Sequence, residues 1–209
     1  MTVRFVVLAS GRGSNAAAIM TATRTGVIQG EVVAVFSNNP TAGVLEKAHS
    51  ESVVTHVVSL QPSESRLEYD TRLCEQVRQT RPDIVVLAGW MRILTHAFID
   101  GIGVPIINIH PGLPGELPGT NAIERAFSER ETGRSYSGVM VHLVPDVGVD
   151  TGPVLGTSVV QIGQNDTLAM FEDRMHTAEH ELIVSVLAQV STRFLNSQPI
   201  EKPTQGEKI

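Results

Sequence analysis

Asn108 and His110 stand two residues apart at the end of an apolar run, Val104-Pro105-Ile106-Ile107-Asn108-Ile109-His110, and Pro111 stops that run. A strand has a side-chain period of two, so both polar groups face one side of a sheet. Proline cannot continue a central ladder, which ends the strand near His110. An amide and an imidazole at a strand's carboxyl end can stabilise charge developing on a reacting oxygen. The plainer alternative is a capped strand with a core-packed histidine. Asp150 lies in the glycine-flanked loop Pro145-Asp146-Val147-Gly148-Val149-Asp150-Thr151-Gly152. A carboxylate there can orient the His110 ring, favour its charged form and raise its pKa. Asp146 competes for that role by position, and a turn-forming aspartate is the ordinary alternative.

A second constellation lies near the amino terminus. Gly11-Arg12-Gly13-Ser14-Asn15-Ala16 follows an apolar run and opens a helix. Glycines there let backbone amides approach an anion at the helix amino end. A dinucleotide reader also wants an acid at the end of the second strand to hold a ribose. That strand ends Ser37-Asn38-Asn39, so the expectation is a monophosphate on Gly13, Ser14 and Asn15. A tight turn with Ser14 as helix cap is the alternative. Further on, His176-Thr177-Ala178-Glu179-His180 matches the inverted zinc-protease pattern, with two histidines one helical turn apart. A hydrolytic zinc site needs a further ligand, and Glu181 is the only acid between His180 and Arg193. No metal is therefore expected; Glu179 reads as a carboxylate lent to a ligand hydroxyl, or as part of a polar helix face. His142 falls in a strand without a visible partner and reads as structural. His49, His56 and His96 carry no constellation.

These residues need a scaffold. Strands are expected over Arg4 to Ala9, Glu31 to Phe36, Val53 to Val58 (the weakest) and Asp83 to Leu87, with the fifth ending at His110. Between them, helices are expected from Ala16, over Ala42 to Ser50, over Ser63 to Thr80 with Leu67, Leu73 and Val77 at helical spacing, and over Thr95 to Asp100. This alternation predicts an α/β fold with a doubly wound, Rossmann-like, mostly parallel sheet. Ligands in such sheets bind outside the carboxyl ends of the strands, where strand order switches. The pattern then changes. Pro111 to Thr120 is a loop, Asn121 to Glu131 a helix capped by Asn121, and Ser137 to Val144 and Pro153 to Ile162 are strands of an antiparallel addition. Asp166 to Leu195 reads as a long terminal helix. One domain is expected over 1–196, with 197–209 a loose polar tail containing Pro199, Pro203 and Gly206.

Composition narrows the function classes. The chain has 209 residues, 42% hydrophobic and 18% charged, with net charge −6. That sign argues against non-specific binding to nucleic acid or an anionic membrane. The single Cys74 excludes an intramolecular disulfide and a cysteine zinc site, and reads as a buried thiol. No apolar run has the length of a membrane span or signal peptide. A reducing, cytoplasmic setting is expected, with small-molecule partners and a monomer or homodimer.

Several stretches together resemble the phosphoribosylglycinamide formyltransferases, the folate-dependent glycinamide ribonucleotide transformylases of purine synthesis. They are Val-Leu-Ala-Ser-Gly-Arg-Gly-Ser-Asn (7–15), Ala-Val-Phe-Ser-Asn (34–38), Leu-Ala-Gly-Trp-Met-Arg-Ile-Leu (87–94), Asn-Ile-His-Pro (108–111), Val-His-Leu-Val (141–144), Asp-Thr-Gly-Pro (150–153) and Glu-His (179–180). The resemblance implies transfer of the formyl group of 10-formyltetrahydrofolate, as co-substrate, to the amine of glycinamide ribonucleotide. It implies that Asn108 and protonated His110 stabilise the oxyanion, that Asp150 holds and charges His110, and that no metal takes part. It places the ribonucleotide phosphate on Gly13, Ser14 and Asn15, its ribose on Glu179, and Pro111 beside it. It places the folate along Met91, Arg92, Ile93 and Leu94, against Asn108 and Val149, with Arg66 near its polar end.

Three departures from the family pattern stand out. The family's His-Pro-Ser-Leu-Leu-Pro is His110-Pro111-Gly112-Leu113-Pro114-Gly115 here, one residue is added between His142 and Asp150, and Met140 replaces a small hydroxyl residue. Transfer to methionyl-tRNA or a nucleotide-linked sugar, and formyltetrahydrofolate hydrolysis, are related alternatives whose enzymes commonly carry another domain. A non-enzymatic nucleotide-binding module explains the glycine loop but not Asn108, His110 and Asp150 together.

Overall fold

The computed structural model describes residues 2–200. Its seven strands are β1 (Val3–Leu8), β2 (Gly30–Ser37), β3 (Thr55–Val57), β4 (Ile84–Leu87), β5 (Ile106–His110), β6 (Tyr136–Leu143) and β7 (Val154–Gln161). Its six α-helices are α1 (Ser14–Arg24), α2 (Gly43–Ser50), α3 (Arg66–Gln79), α4 (His96–Ile102), α5 (Ala122–Ser128) and α6 (Leu168–Leu195). The sheet order is β3-β2-β1-β4-β5-β6-β7. β1 to β5 pair in parallel, while β6 and β7 are antiparallel additions. The chain winds outward from β1 to β3, then returns to β4 on the other side of β1. The carboxyl ends of β1 and β4 therefore flank the switch point where such sheets bind ligands.

Apolar residues on both faces of each central strand bury the sheet between two cores. Val3, Phe5 and Val7 of β1 face the core under α1, α2, α5 and α6, whereas Val6 and Leu8 face the core under α3 and α4. In β5, Ile107 and Ile109 join the first core and Ile106 the second. The same alternation puts Asn108 and His110 on the α3/α4 side, just beyond the cover of those helices.

Local details correct several expected boundaries. α3 starts at Arg66 rather than Ser63, because Ser65 and Glu68 form a reciprocal capping box. β3 shrinks to three residues, since as an edge strand it pairs only with β2. Asn121 stands at the N-cap of α5 but makes no side-chain capping bond: its φ is 55°, in the left-handed region. The helix there stops at Ser128 and continues as a single 3-10 turn, Glu129–Thr132. Cys74 is buried, with its thiol against the Phe98 carbonyl. After α6 the chain is not loose at once: Gln198 donates to the Arg193 carbonyl and Ile200 packs on the larger core. Residues 201–209 of the expected tail lie outside the described residues.

Candidate active site

The loops that leave β1, β4 and β5, the loop before β7 and one face of α6 enclose a cleft of about 670 Å³. Of the residues singled out in the sequence, Gly13, Ser14, Asn15, Met91, Arg92, Ile93, Leu94, Asn108, His110, Pro111, Val149, Asp150 and Glu179 all line it. Arg66 does not. It is exposed at the start of α3 and its guanidinium donates to the Ile93 carbonyl at 2.6 Å, so it touches the segment 91–94 through the backbone.

At the β1 end, Gly13 caps α1 with φ 73° and no side-chain capping bond. A Cβ there would lie 2.5 Å from Val44, so the turn demands glycine both for its backbone conformation and for its approach to α2. Ser14 is thus the first helical residue, not the cap, and the amino end of α1, which borders the cleft, has no side-chain capping bond. The β1 and β4 loops are tied together: Ser10 N–H donates to the Gly89 carbonyl at 3.0 Å and Met91 N–H to the Ser10 hydroxyl at 2.9 Å.

Behind the glycine loop, Asn15 Nδ2 donates to Glu179 Oε1 at 3.3 Å, and His176 Nδ1 lies 2.8 Å from Glu179 Oε2. The bond to Glu179 raises the His176 pKa, against the opposing effects of burial and the Arg12 charge. His180 lines a separate groove on the far side of α1 with Ala17, Ala18 and Lys47. The H-x-x-E-H pattern therefore sends its histidines to different places, and its glutamate bonds the first of them.

At the β5 end, Asn108, His110 and Asp150 converge. Asn108 Nδ2 donates to Asp150 Oδ1 at 3.2 Å, and His110 Nδ1 is 3.3 Å from Asp150 Oδ2. Gly119 N–H donates to Asp150 Oδ2 at 2.9 Å. Asp150 reaches this place with φ 56°, a strained value for a residue with a Cβ. Asp146 makes none of these contacts: it is exposed at the edge of the cleft and accepts from the Gly148 N–H in its own turn.

His142 was missed by sequence reasoning, which left it without a partner. It pairs with Asn108 in the antiparallel register of β5 and β6, and its Nε2 lies 3.1 Å from Asn108 Nδ2 and 3.6 Å from Asp150 Oδ1. Its Nδ1 faces the Leu143 carbonyl at 2.8 Å, an acceptor, so Nδ1 carries a hydrogen and Nε2 is the ring nitrogen turned to Asn108 and Asp150. Met140 is paired with His110 and buried, leaving no hydroxyl at that position.

Burial pushes the Asp150 pKa up, but the adjacent His142, the Gly119 N–H and His110 outweigh it and hold the carboxyl below its ordinary value. For His110 the balance reverses. Burial pulls its pKa below the ordinary histidine value, while Asp150 and the Leu117 carbonyl pull the other way. Asp150 therefore offsets part of the desolvation of His110 rather than producing the net rise expected from the sequence. The Gly112 noted in the sequence lies against the ring: a Cβ there would sit 2.6 Å from His110 Nε2, so a side chain has no room while His110 keeps this position.

Residues 3–187 match the formyl transferase family. The chain belongs to the formyl transferase family. It lies in the phosphoribosylglycinamide formyltransferase branch and is a transferase. The phosphoribosylglycinamide formyltransferase of Dictyostelium discoideum is 38% identical over 207 residues, covering 92% of this chain and 100% of the relative. That of Escherichia coli K12 is 38% identical over 186 residues, covering 89% of this chain and 86% of its own. The crystal structure of glycinamide ribonucleotide transformylase 1 from Symbiobacterium toebii superposes with a TM-score of 0.85 at 31% identity, covering 91% of this chain and 88% of that one. The mixed sheet, five parallel strands with two antiparallel additions, is thus this formyltransferase's version of the family fold. Among the described residues no helix is long and apolar enough to cross a membrane, and no group of three or more His, Cys, Asp or Glu could hold a metal.

Proposed function

We propose that the chain transfers the formyl group of 10-formyltetrahydrofolate to the amine of glycinamide ribonucleotide, a step of purine synthesis, in the cytoplasm. The observation that carries this reading is the convergence of Asn108 Nδ2 and His110 Nδ1 on the two oxygens of Asp150. Donors gathered around one buried carboxylate are placed to stabilise an oxyanion that forms beside it. The ribonucleotide amine adds to the formyl carbon, and the carbonyl oxygen takes up the electron pair between Asn108 and the His110 imidazolium. A new C–N bond forms, the bond to the folate nitrogen breaks, and the ammonium proton passes through water and Asp150 to the leaving nitrogen. An amine nucleophile needs only this deprotonation, with no covalent enzyme intermediate. His142, in contact with Asn108 Nδ2, helps fix the orientation of that amide.

Gly13, Ser14 and Asn15 take the ribonucleotide phosphate at the open amino end of α1. Glu179 takes the ribose hydroxyls, and Pro111 flanks the ribonucleotide. Met91, Arg92, Ile93, Leu94 and Val149 cover the folate ring system, and Arg66 lies toward its acidic end.

The test mixes purified protein, glycinamide ribonucleotide and 10-formyltetrahydrofolate and follows formylated product. Hydrolysis of the folate without transfer, or transfer to a different amine alone, overturns the proposal and leaves one of the related reactions in its place.

A further inference from the structure

We propose that Arg125 is a positioning residue for His110, holding the Leu117 carbonyl against Nε2 so that Nδ1 is the ring nitrogen turned to the reaction centre. This rests on the formyl-transfer reading of the cleft. The Leu117 carbonyl lies 3.0 Å from His110 Nε2, and it also accepts from Arg125 Nη2 at 2.8 Å. The same Nη2 donates to the Pro118 carbonyl at 2.7 Å. One cationic nitrogen thus grips two successive carbonyls of the loop above His110, and no carboxylate among the described residues pairs with it.

The loop needs such a grip. Leu117 has φ 50° and Asn121 φ 55°, both in the left-handed region that side chains disfavour. Relaxing Leu117 would swing its carbonyl away from the ring, whereas charge-assisted bonds from Arg125 oppose that movement.

The charged and titratable groups that face His110 are Asp150 from the loop before β7, His142 from β6 and, across the Leu117 carbonyl, Arg125 from α5. The ring therefore has an acceptor at each nitrogen: a fixed carbonyl at Nε2 and a carboxylate at Nδ1. A neutral imidazole carries one hydrogen and can satisfy only one of them. With the carbonyl clamped, Nε2 keeps its hydrogen, and Nδ1, beside Asp150 and Asn108, is the nitrogen that gains and loses a proton. Without the clamp the carbonyl can withdraw. The single hydrogen then moves to Nδ1, where Asp150, whose Oδ2 otherwise accepts from the Gly119 N–H, is the one acceptor left.

The test is 15N spectroscopy of imidazole-labelled, ligand-free full-length protein, with the His110 signals assigned by their loss in His110→Asn. Spectra are recorded above the histidine titration. Wild type is expected to show the Nε2–H tautomer at His110. Arg125→Met is expected to convert the major form to Nδ1–H and to lower kcat by about ten- to a hundredfold, the scale of a small misplacement at a reacting centre, with both KM values within about twofold. Arg125→Lys, whose one ammonium can reach the same pair of carbonyls, is expected to restore the Nε2–H tautomer and most of kcat. A wild-type Nδ1–H tautomer overturns the proposal without any variant. So does an unchanged tautomer in Arg125→Met, or a lysine variant that behaves like the methionine one. If the tautomers follow this pattern but wild type forms no formylated ribonucleotide, the failure belongs to the functional reading and not to the clamp.

Discussion

The two ends of the cleft are built on different principles. At the end formed by β1 and α6, Asn15 and Glu179 are 8% and 6% exposed and bonded to each other. At the β4 end, Met91 and Ile93 are 65% and 52% exposed and apolar. A buried polar end recognises a ligand through fixed hydrogen bonds, and its own desolvated groups penalise a ligand that cannot complete them. An exposed apolar end gains mainly by being covered, which tolerates variation in what covers it. The reaction centre sits between them and shares the first character: His110 is 4% exposed. With the ligands placed as proposed above, the difference predicts strict recognition of the ribonucleotide and a more permissive grip on the folate.

The sharpest way to break this contrast is at its middle. Replacing Asn108 with alanine should lower kcat by about two to three orders of magnitude, as for other oxyanion donors; turnover near wild type would remove Asn108 from the mechanism. Asp150→Asn should cost a comparable factor with the fold intact by circular dichroism, while Asp146→Asn should be nearly silent. The opposite ranking would show that the wrong acid of this loop has been placed in the reaction.

Next in size is the buried end. Glu179→Gln should raise KM for the ribonucleotide by about ten- to a hundredfold, the worth of a hydrogen bond to a charged group, and leave KM for the folate unchanged. An equal rise in both would erase the distinction between the two ends.

A smaller effect follows from His176. Its pKa is raised in the fold by Glu179, so the stabilisation is fully present below the ordinary histidine pKa and is lost as pH rises through the higher folded value. Ribonucleotide affinity and melting temperature should both fall over that interval, and His176→Asn should flatten the profile. Arg12 and Glu172 face the same ring, with opposite influences on it, so Arg12→Gln should move the interval to higher pH. The smallest effect is expected at the open end, where Ile93→Ala should raise KM for the folate only a few-fold, since partly covering such a side chain is worth about 1 kcal/mol. A loss there as large as at Glu179 would mean that the apolar segment specifies the ligand rather than merely sheltering it.

The same contrast explains how much could be read in the sequence. Asn108 and His110 were legible because their relation is local: one strand, period two, with a proline after it. The glycine loop was legible because Gly13 must be glycine for its own turn. The parallel core followed from alternating apolar runs, and Glu179 stood out in the H-x-x-E-H pattern, its ribose role coming from the resemblance. His142 was not legible, because its meeting with Asn108 depends on how β6 pairs with β5, a register across 34 positions that no local pattern carries. The pKa direction of His110 was hidden for a similar reason: Asp150 can be guessed as a neighbour, but the burial that outweighs it belongs to the whole fold. The start of α3 was missed by two serines competing as caps, with Ser65 having a glutamate three residues on and Ser63 not.

Asn15 and Glu179 are separated by 164 positions, yet their side chains touch. Closing so long a loop costs chain entropy that one neutral-to-charged hydrogen bond repays only in part. A ribonucleotide held by both residues would act as a removable staple between the first helix and the last. Its binding free energy would add directly to the folding free energy. In a cell, the supply of substrate would then govern how long each copy of the chain survives proteolysis as well as how fast it turns over.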